Sequence, residues 1–214
     1  MATVPYSLWL PYVQVNVPGC PRAMVIEAIR SKVIEFCQKT RFWRAELDGF
    51  YTITDDEEYE IDVPSDSTVA DILVIKVNNN ELTPKTQDEV EELYSPSSDW
   101  RESSGIPRYF FLRNPSIAVF VPIPNAAYPI RITVALKPTQ AAQGVDEIIF
   151  EEHKDTIVHG VLAYLMQMPE KTWSNPNLSV FHDGKFESES LKAKRKAAHG
   201  YALRKTWRVK AHNF

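Results

Sequence analysis

Residues 21–54 read PRAMVIEAIRSKVIEFCQKTRFWRAELDGFYTIT, and within them the chain changes its hydrophobic period. Pro21 sits where a helix accepts its first residue, because the N–H that proline lacks is one a helix start leaves unpaired anyway. Beyond it Val25, Ile29, Val33, Phe36, Cys37 and Thr40 recur at helical spacing, with Arg22, Arg30, Lys32, Gln38 and Lys39 largely off that stripe. This predicts an amphipathic helix that ends near TRFWR, with Phe42 and Trp43 as anchors packing its end onto the next layer. From Gly49 the pattern becomes FYTI, a short β run, so one chain must accommodate both periods.

Working toward the C-terminus, EYEIDV (58–63) and VADILVIKVN (69–78) read as strands, with NNNE (78–81) a turn after the second. TPKTQDEVEELY (83–94) interrupts them with a short acidic helix, in which Thr86 and Glu89 have capping-box spacing. After the loop SPSSDWRESSGIP (95–107) come RYFFLR (108–113), SIAVFV (116–121) and IRITVAL (130–136), expected to form an antiparallel meander. Helix returns beyond GVDEIIF: over residues 151–168, Lys154, Ile157, Val158, Val161, Leu165 and Met168 trace one face, and Pro169 stops it. Gly160 inside this helix costs about 1 kcal/mol relative to Ala, so a close crossing by another helix is the natural reason for it. EKTWSNPNLSVFHDGKF (170–186) reads as a loop. A final helix is expected over 188–205, Ala-rich and basic, with a narrow stripe of Leu191, Ala198, Tyr201 and Ala202.

The expected fold is therefore α+β: a helical core formed by N-terminal and C-terminal helices, an antiparallel β insertion, and an extended C-terminal tail. The divisions fall at 1–48 (arm and core helix), 49–146 (β-rich insertion), 147–203 (core helices) and 204–214 (docking tail).

Composition excludes several classes. With 214 residues and 44% hydrophobic content the chain has the means to bury a core. No run approaches the roughly 20 apolar residues of a membrane span, and the start MATVPYSLWLPY lacks the basic region and cleavage site of a signal peptide, so a chain made in the cytosol with no membrane partner is expected. Cys20 and Cys37 have no metal-ligand spacing and are expected as free buried thiols. The net charge of −4 conceals a segregation: residues 55–102 hold 15 acidic and 3 basic side chains, whereas residues 185–214 hold 9 basic and 2 acidic. Solvated faces alone account for such charge, and so does complementarity between copies of the chain or with a partner.

Signatures of chemistry are scarce. His153 and His159 are six residues apart, which turns them to different faces of a helix, unlike the i, i+4 pair of a zinc protease. Asp155 and His159 share a face as an ordinary surface pair. His182, His199 and His212 have no carboxylate spacing around them. HDGKFESES (182–190) lacks the glycine and hydroxyl of a phosphate loop, no G-x-S-x-G elbow occurs, and TDDEEYEID (54–62) lacks the glycine of a calcium loop. No catalytic, cofactor or metal residue is assigned. Nucleic acid is the other candidate ligand: Lys192, Lys194, Arg195, Lys196, Arg204, Lys205, Arg208 and Lys210 are able to neutralise phosphates and Trp207 to stack on a base, although the whole chain is acidic.

Taken in order, NNNELTPKTQDEVEEL, DWRESSGIPRYFFL, SIAVFVPIPNAAYPIRITVALKP and FEEHKDTIVHGVLAYLM with KTWSNPN resemble the head-to-tail adaptor (neck, or gatekeeper) proteins of tailed bacteriophages, especially short-tailed ones. Trp100, Gly105, Pro107 and Tyr109, then Pro122 and Pro124, carry the resemblance most directly. Gly105 and Pro107 turn the chain into a strand, and Pro122 and Pro124 hold the next connection extended. The resemblance implies a virion structural protein rather than an enzyme. It implies a ring, commonly of twelve copies, that binds beneath the portal in the neck, extends the DNA channel and joins it to tail or nozzle proteins, passing genomic DNA without sequence-specific binding. It also implies a C-terminal segment that docks into the portal, with Trp207 and Phe214 as anchors, Arg204, Lys205, Arg208 and Lys210 as polar partners, and Lys192, Arg195 and Lys196 as a basic helix face. Ten extended residues reach about 33 Å, enough to cross onto a neighbour. The alternatives are a DNA-binding module using the basic helix and a tail-associated enzyme acting on glycans through paired carboxylates.

Overall fold

The computed structural model describes residues 3–94 and 99–199, which form an α+β fold in two compact units. Its helices are α1 (Leu10–Gln14), α2 (Arg22–Thr40), α3 (Gln87–Tyr94), α4 (Glu147–Met166) and α5 (Pro176–His199), with 3-10 turns at Tyr6–Trp9 and Trp100–Glu102. The strands are β1 (Thr3–Pro5), β2 (Arg44–Glu46), β3 (Phe50–Tyr51), β4 (Glu58–Glu60), β5 (Ser67–Val77), β6 (Asn80–Glu81), β7 (Thr83–Pro84), β8 (Ser104–Gly105), β9 (Tyr109–Asn114), β10 (Ile117–Val121), β11 (Ile123–Pro124), β12 (Pro129–Pro138) and β13 (Gly144–Asp146).

One unit, residues 3–6 and 43–149, is built on two sheets. The long antiparallel pair of β5 and β12 is flanked by β6 on one side and by β2 and β3 on the other. The second sheet runs β4, β10, β9, β7, antiparallel except where β7 lies alongside β9. Alternation along both sheets puts Ile75, Val77, Ile130, Ile132 and Leu136 of the first and Tyr59, Phe110 and Phe120 of the second into one core, where Tyr59 stacks on Phe120 with centroids 4.6 Å apart. The turn after β5 uses Asn78 and Asn79 at φ 50° and 63°, a left-handed conformation that asparagine tolerates. The capping box forms: Glu89 N–H donates to Thr86 Oγ1 at 3.2 Å and Thr86 N–H to Glu89 Oε2 at 2.7 Å.

The meander expectation needs correction. β9 and β10 form a hairpin, but IRITVAL, as β12, pairs with β5 in the other sheet. The reason is edge occupancy: β9 takes one side of β10 and β4 the other, so no ladder remains for a third strand there.

The other described unit comprises residues 7–42 and 150–199. In α2 the buried positions are Val25, Ala28, Ile29, Val33, Ile34, Phe36, Cys37 and Thr40, one face of the helix. Pro21 stands at the N-cap, one place before the first helical residue, and Arg41 at φ 52° ends the helix, its N–H bonded to Cys37 O at 2.9 Å. Both cysteines are buried free thiols. Two helix starts differ from the sequence reading. α4 begins at Glu147 rather than near 151, because Asp146 Oδ1 accepts from Ile148 N–H at 3.0 Å, and the helix kinks at His153. α5 begins at Pro176, inside the segment read as a loop: Asn175 Oδ1 accepts from Leu178 N–H at 3.2 Å and Pro176 takes the first helical position. The stripe expected for this last helix also needs correction. Leu191 and Ala198 are exposed, Tyr201 and Ala202 lie outside the described residues, and the buried face is Ser179, Phe186, Ser190, Ala193 and Ala197. Small and hydroxyl residues let α5 lie close to its neighbours without registering as hydrophobic in the sequence.

Candidate interaction surfaces

In the β-rich unit, the residues that carry the resemblance converge. Trp100, on its 3-10 turn, is buried among Val90, Phe111, Val119 and Val121, edge-on to Phe111 at 5.7 Å and with the Arg101 guanidinium 4.4 Å above its ring. Gly105 lies opposite Pro124 in the parallel pair β8–β11, and a Cβ at Gly105 would stand 3.5 Å from Pro122 Cγ. The Val121–Pro122 peptide is cis, and Arg108 N–H, just beyond Pro107, bonds to Val121 O at 2.9 Å. Tyr109 packs against the same cluster. These side chains fix where the hairpin of β9 and β10 leaves its sheet; their arrangement is a scaffold. Trp43 packs on the sheet core, half-buried.

In the helical unit, Phe42 is buried against Phe36 and His153, with ring centroids 6.3 and 4.3 Å away. Gly160 of α4 faces Phe186 of α5 so closely that an added Cβ would fall 2.7 Å from Phe186 Cδ2. Ser179 Oγ donates to Ala163 O at 2.7 Å, clasping the two helices again. The sequence reading missed a histidine pair, because it left His182 on a loop: His159 Nδ1 and His182 Nδ1 are 2.8 Å apart across α4 and α5. One nitrogen must carry the proton and the other accept it. Burial holds both imidazoles below the usual histidine range; Asp155 pulls His159 back up and Lys185 pushes it down. His153 is pushed down the same way, by burial first.

Charge follows the division into units. Residues 43–149 contain 19 acidic and 8 basic side chains, net −11, and the described helical unit, residues 7–42 and 150–199, holds 9 and 12, net +3; the other 4 basic side chains, which bring the total outside residues 43–149 to +7, fall in 200–214. The last turns of α5 expose Lys192, Lys194, Arg195 and Lys196, of which Lys192 pairs with Glu189 at 2.7 Å and Lys196 with Glu152 at 2.5 Å. Arg204, Lys205, Trp207, Arg208, Lys210 and Phe214 lie outside the described residues. Among the described residues there is no group of three or more potential metal ligands and no helix long and apolar enough to cross a membrane.

A family model described as SU10 adaptor protein matches residues 12–208. The chain belongs to the SU10 adaptor protein family. No curated protein matches it. A match of that extent takes in both units of this adaptor, from α1 to beyond α5, including the Trp100 cluster and the Gly160–Phe186 crossing. It makes the protein a bacteriophage adaptor with a structural role in the virion.

Proposed function

We propose that the adaptor binds the portal as a ring in the neck of the virion, extends the DNA channel and connects it to tail or nozzle proteins. The observation that carries the reading beyond family membership is the charge partition, −11 over residues 43–149 against +7 elsewhere. A head-to-tail ring puts different surfaces of neighbouring copies together, so a chain with one acidic and one basic part orients its own assembly. Acidic side chains near a channel also keep passing DNA from adhering, which suits conduction without sequence-specific binding. Residues 204–214, with Trp207 and Phe214 as anchors and Arg204, Lys205, Arg208 and Lys210 beside them, supply the docking element toward the portal. Assembly by repeated contacts, with no bond made or broken, is the whole of its task.

Salt tests the electrostatic half. The screening length falls from about 10 Å at 0.1 M to about 3 Å at 1 M ionic strength, so raising salt is expected to dissociate portal-bound copies progressively. Binding that is indifferent to salt would remove charge complementarity from the account. Retention of duplex DNA by the purified chain at near-physiological salt would favour instead a DNA-binding role for the basic end of α5.

A further inference from the structure

The β-rich unit leaves a strand edge open beside a groove. β2 and β3 pair with β12 one after the other, so residues 44–51 are the last strand on that side of the sheet. Leu47 N–H donates to Ile132 O at 2.9 Å and Leu136 N–H to Trp43 O at 2.7 Å, which turns the backbone of Trp43, Ala45 and Leu47 toward β12. Glu46 and Asp48 therefore turn their backbone groups the other way, where no strand among the described residues meets them. An open edge of this kind is a template for a further extended segment.

Along the edge runs a groove of about 600 Å³, lined wholly by residues of this unit. Leu47, Phe50 and Val63, half-buried against the sheet core, are its apolar lining. Glu46, Asp48, Glu60 and Asp62, all exposed, are its charged lining. Arg44 of β2 and Arg131 of β12 belong to the same sheet, yet neither lines the groove. None of the four carboxylates has an ion-pair partner among the described residues, whereas Glu57 and Glu58 both pair with Arg113. The groove thus fits an extended segment with apolar side chains on one face and bases on the other. Residues 206–212 of this chain, TWRVKAH, have that pattern: Trp207, Val209 and Ala211 alternate with Arg208, Lys210 and His212. Residues 200–214 hold four basic side chains and no acidic one.

We infer that residues 206–212 of one copy add as a strand to the β2–β3 edge of a neighbouring copy, apolar side chains over Leu47, Phe50 and Val63, and Arg208 and Lys210 toward the four carboxylates. Three observations select this occupant: the open backbone edge asks for an extended segment, the unpaired carboxylates ask for bases, and the alternation supplies both at once. Residues 200–205 connect the segment to the last described residue of α5 and provide up to about 20 Å of reach. In a head-to-tail ring each copy gives one segment and receives one, so every edge is filled. The inference rests on the ring proposed above and deepens the role of residues 204–214: their middle crosses a neighbour, and Phe214 beyond it is left for the portal.

The test uses the full chain with its portal ring, and native mass reads the chain concentration that half-fills the portal. Glu46→Lys with Asp62→Lys reverses the groove; Arg208→Glu with Lys210→Glu reverses the segment. Each pair is expected to raise that concentration about tenfold, and the two pairs together to restore most of the loss, with urea midpoints unchanged because the groove positions are exposed. In a second arm, wild-type rings assembled from isotopically light and heavy chains are treated with a carbodiimide, which joins an amine to a carboxylate in contact with it. Lys210 is expected to be joined to Glu46, Asp48, Glu60 or Asp62, with light and heavy partners mixed. Reversals without effect, a combined variant no better than the single ones, links confined to one copy, or Lys210 joined to portal carboxylates instead would each overturn the contact and leave the ring standing. A portal that gathers no wild-type copies overturns both.

Discussion

Gly160 and Gly184 occupy helix interiors, six residues from the nearest helix end in one case and eight in the other, yet alanine should act on them in opposite directions. Replacing a helical glycine with alanine removes backbone freedom from the unfolded chain and favours the helix by about 1 kcal/mol. At Gly184 nothing among the described residues opposes this gain, since beyond its own stretch of helix none of their atoms lies within 4 Å of the new methyl. At Gly160 the methyl would stand 2.7, 3.0 and 3.1 Å from three carbons of the Phe186 ring, where ordinary contacts are about 3.5–4.0 Å. Phe186 is fully buried and has no room to retreat. Overpacking of this kind costs about 1–3 kcal/mol, so Gly160→Ala should be net destabilising by about 1 kcal/mol, against a gain of about 1 kcal/mol at Gly184. With a urea slope of about 2 kcal/mol per M, the two midpoints should separate by about 1 M, wild type between them. Denaturation followed by helical circular dichroism reads this directly. Phe186→Leu supplies the control: in that background the penalty at Gly160 should shrink, a non-additivity expected only of residues in contact. Coincident midpoints for the two alanine variants would refute the crossing of α4 and α5 at Gly160.

Acidification should weaken the helical unit. Burial holds His153, His159 and His182 below the ordinary value near 6.5, so as pH falls through that value the unfolded chain takes up protons first and stability is lost. Urea midpoints between about pH 7 and pH 5 should therefore decline, and His182→Gln should flatten the decline; a midpoint that rises on acidification would contradict the buried pair. Trp100→Ala should cost about 3–5 kcal/mol, because the indole fills the space among Val90, Phe111, Val119 and Val121, and thermal melts showing almost no loss would mean that the cluster is not a packed one.

Much of the fold was legible from local pattern. The stripe of α2, the Thr86–Glu89 capping box and the asparagine turn after β5 each depend on residues close in sequence, and each occurs in the structure. What depended on distant partners was not legible. Nothing in IRITVAL tells that β4 already holds the edge of β10, so the third strand of the expected meander belongs to another sheet. The beginning of α5 had a local signal, Asn175 followed by Pro176, but its buried face is mostly serine and alanine and gave no hydrophobic stripe to extend it. Reading that segment as a loop also hid the meeting of His182 with His159. The acidic half of the charge segregation, by contrast, falls in one unit because the acidic run is contiguous in sequence, whereas four of the nine basic side chains of residues 185–214 lie outside the described residues.

The central claim is that many copies of this chain join a portal. It is tested most directly by the mass, at near-physiological salt, of the portal ring mixed with the intact chain and with a chain cut after Leu203. The account predicts that the intact chain adds multiple copies to the portal and that the shortened one does not, because the proposal assigns docking to residues 204–214. A portal whose mass is unchanged by the intact chain would contradict it.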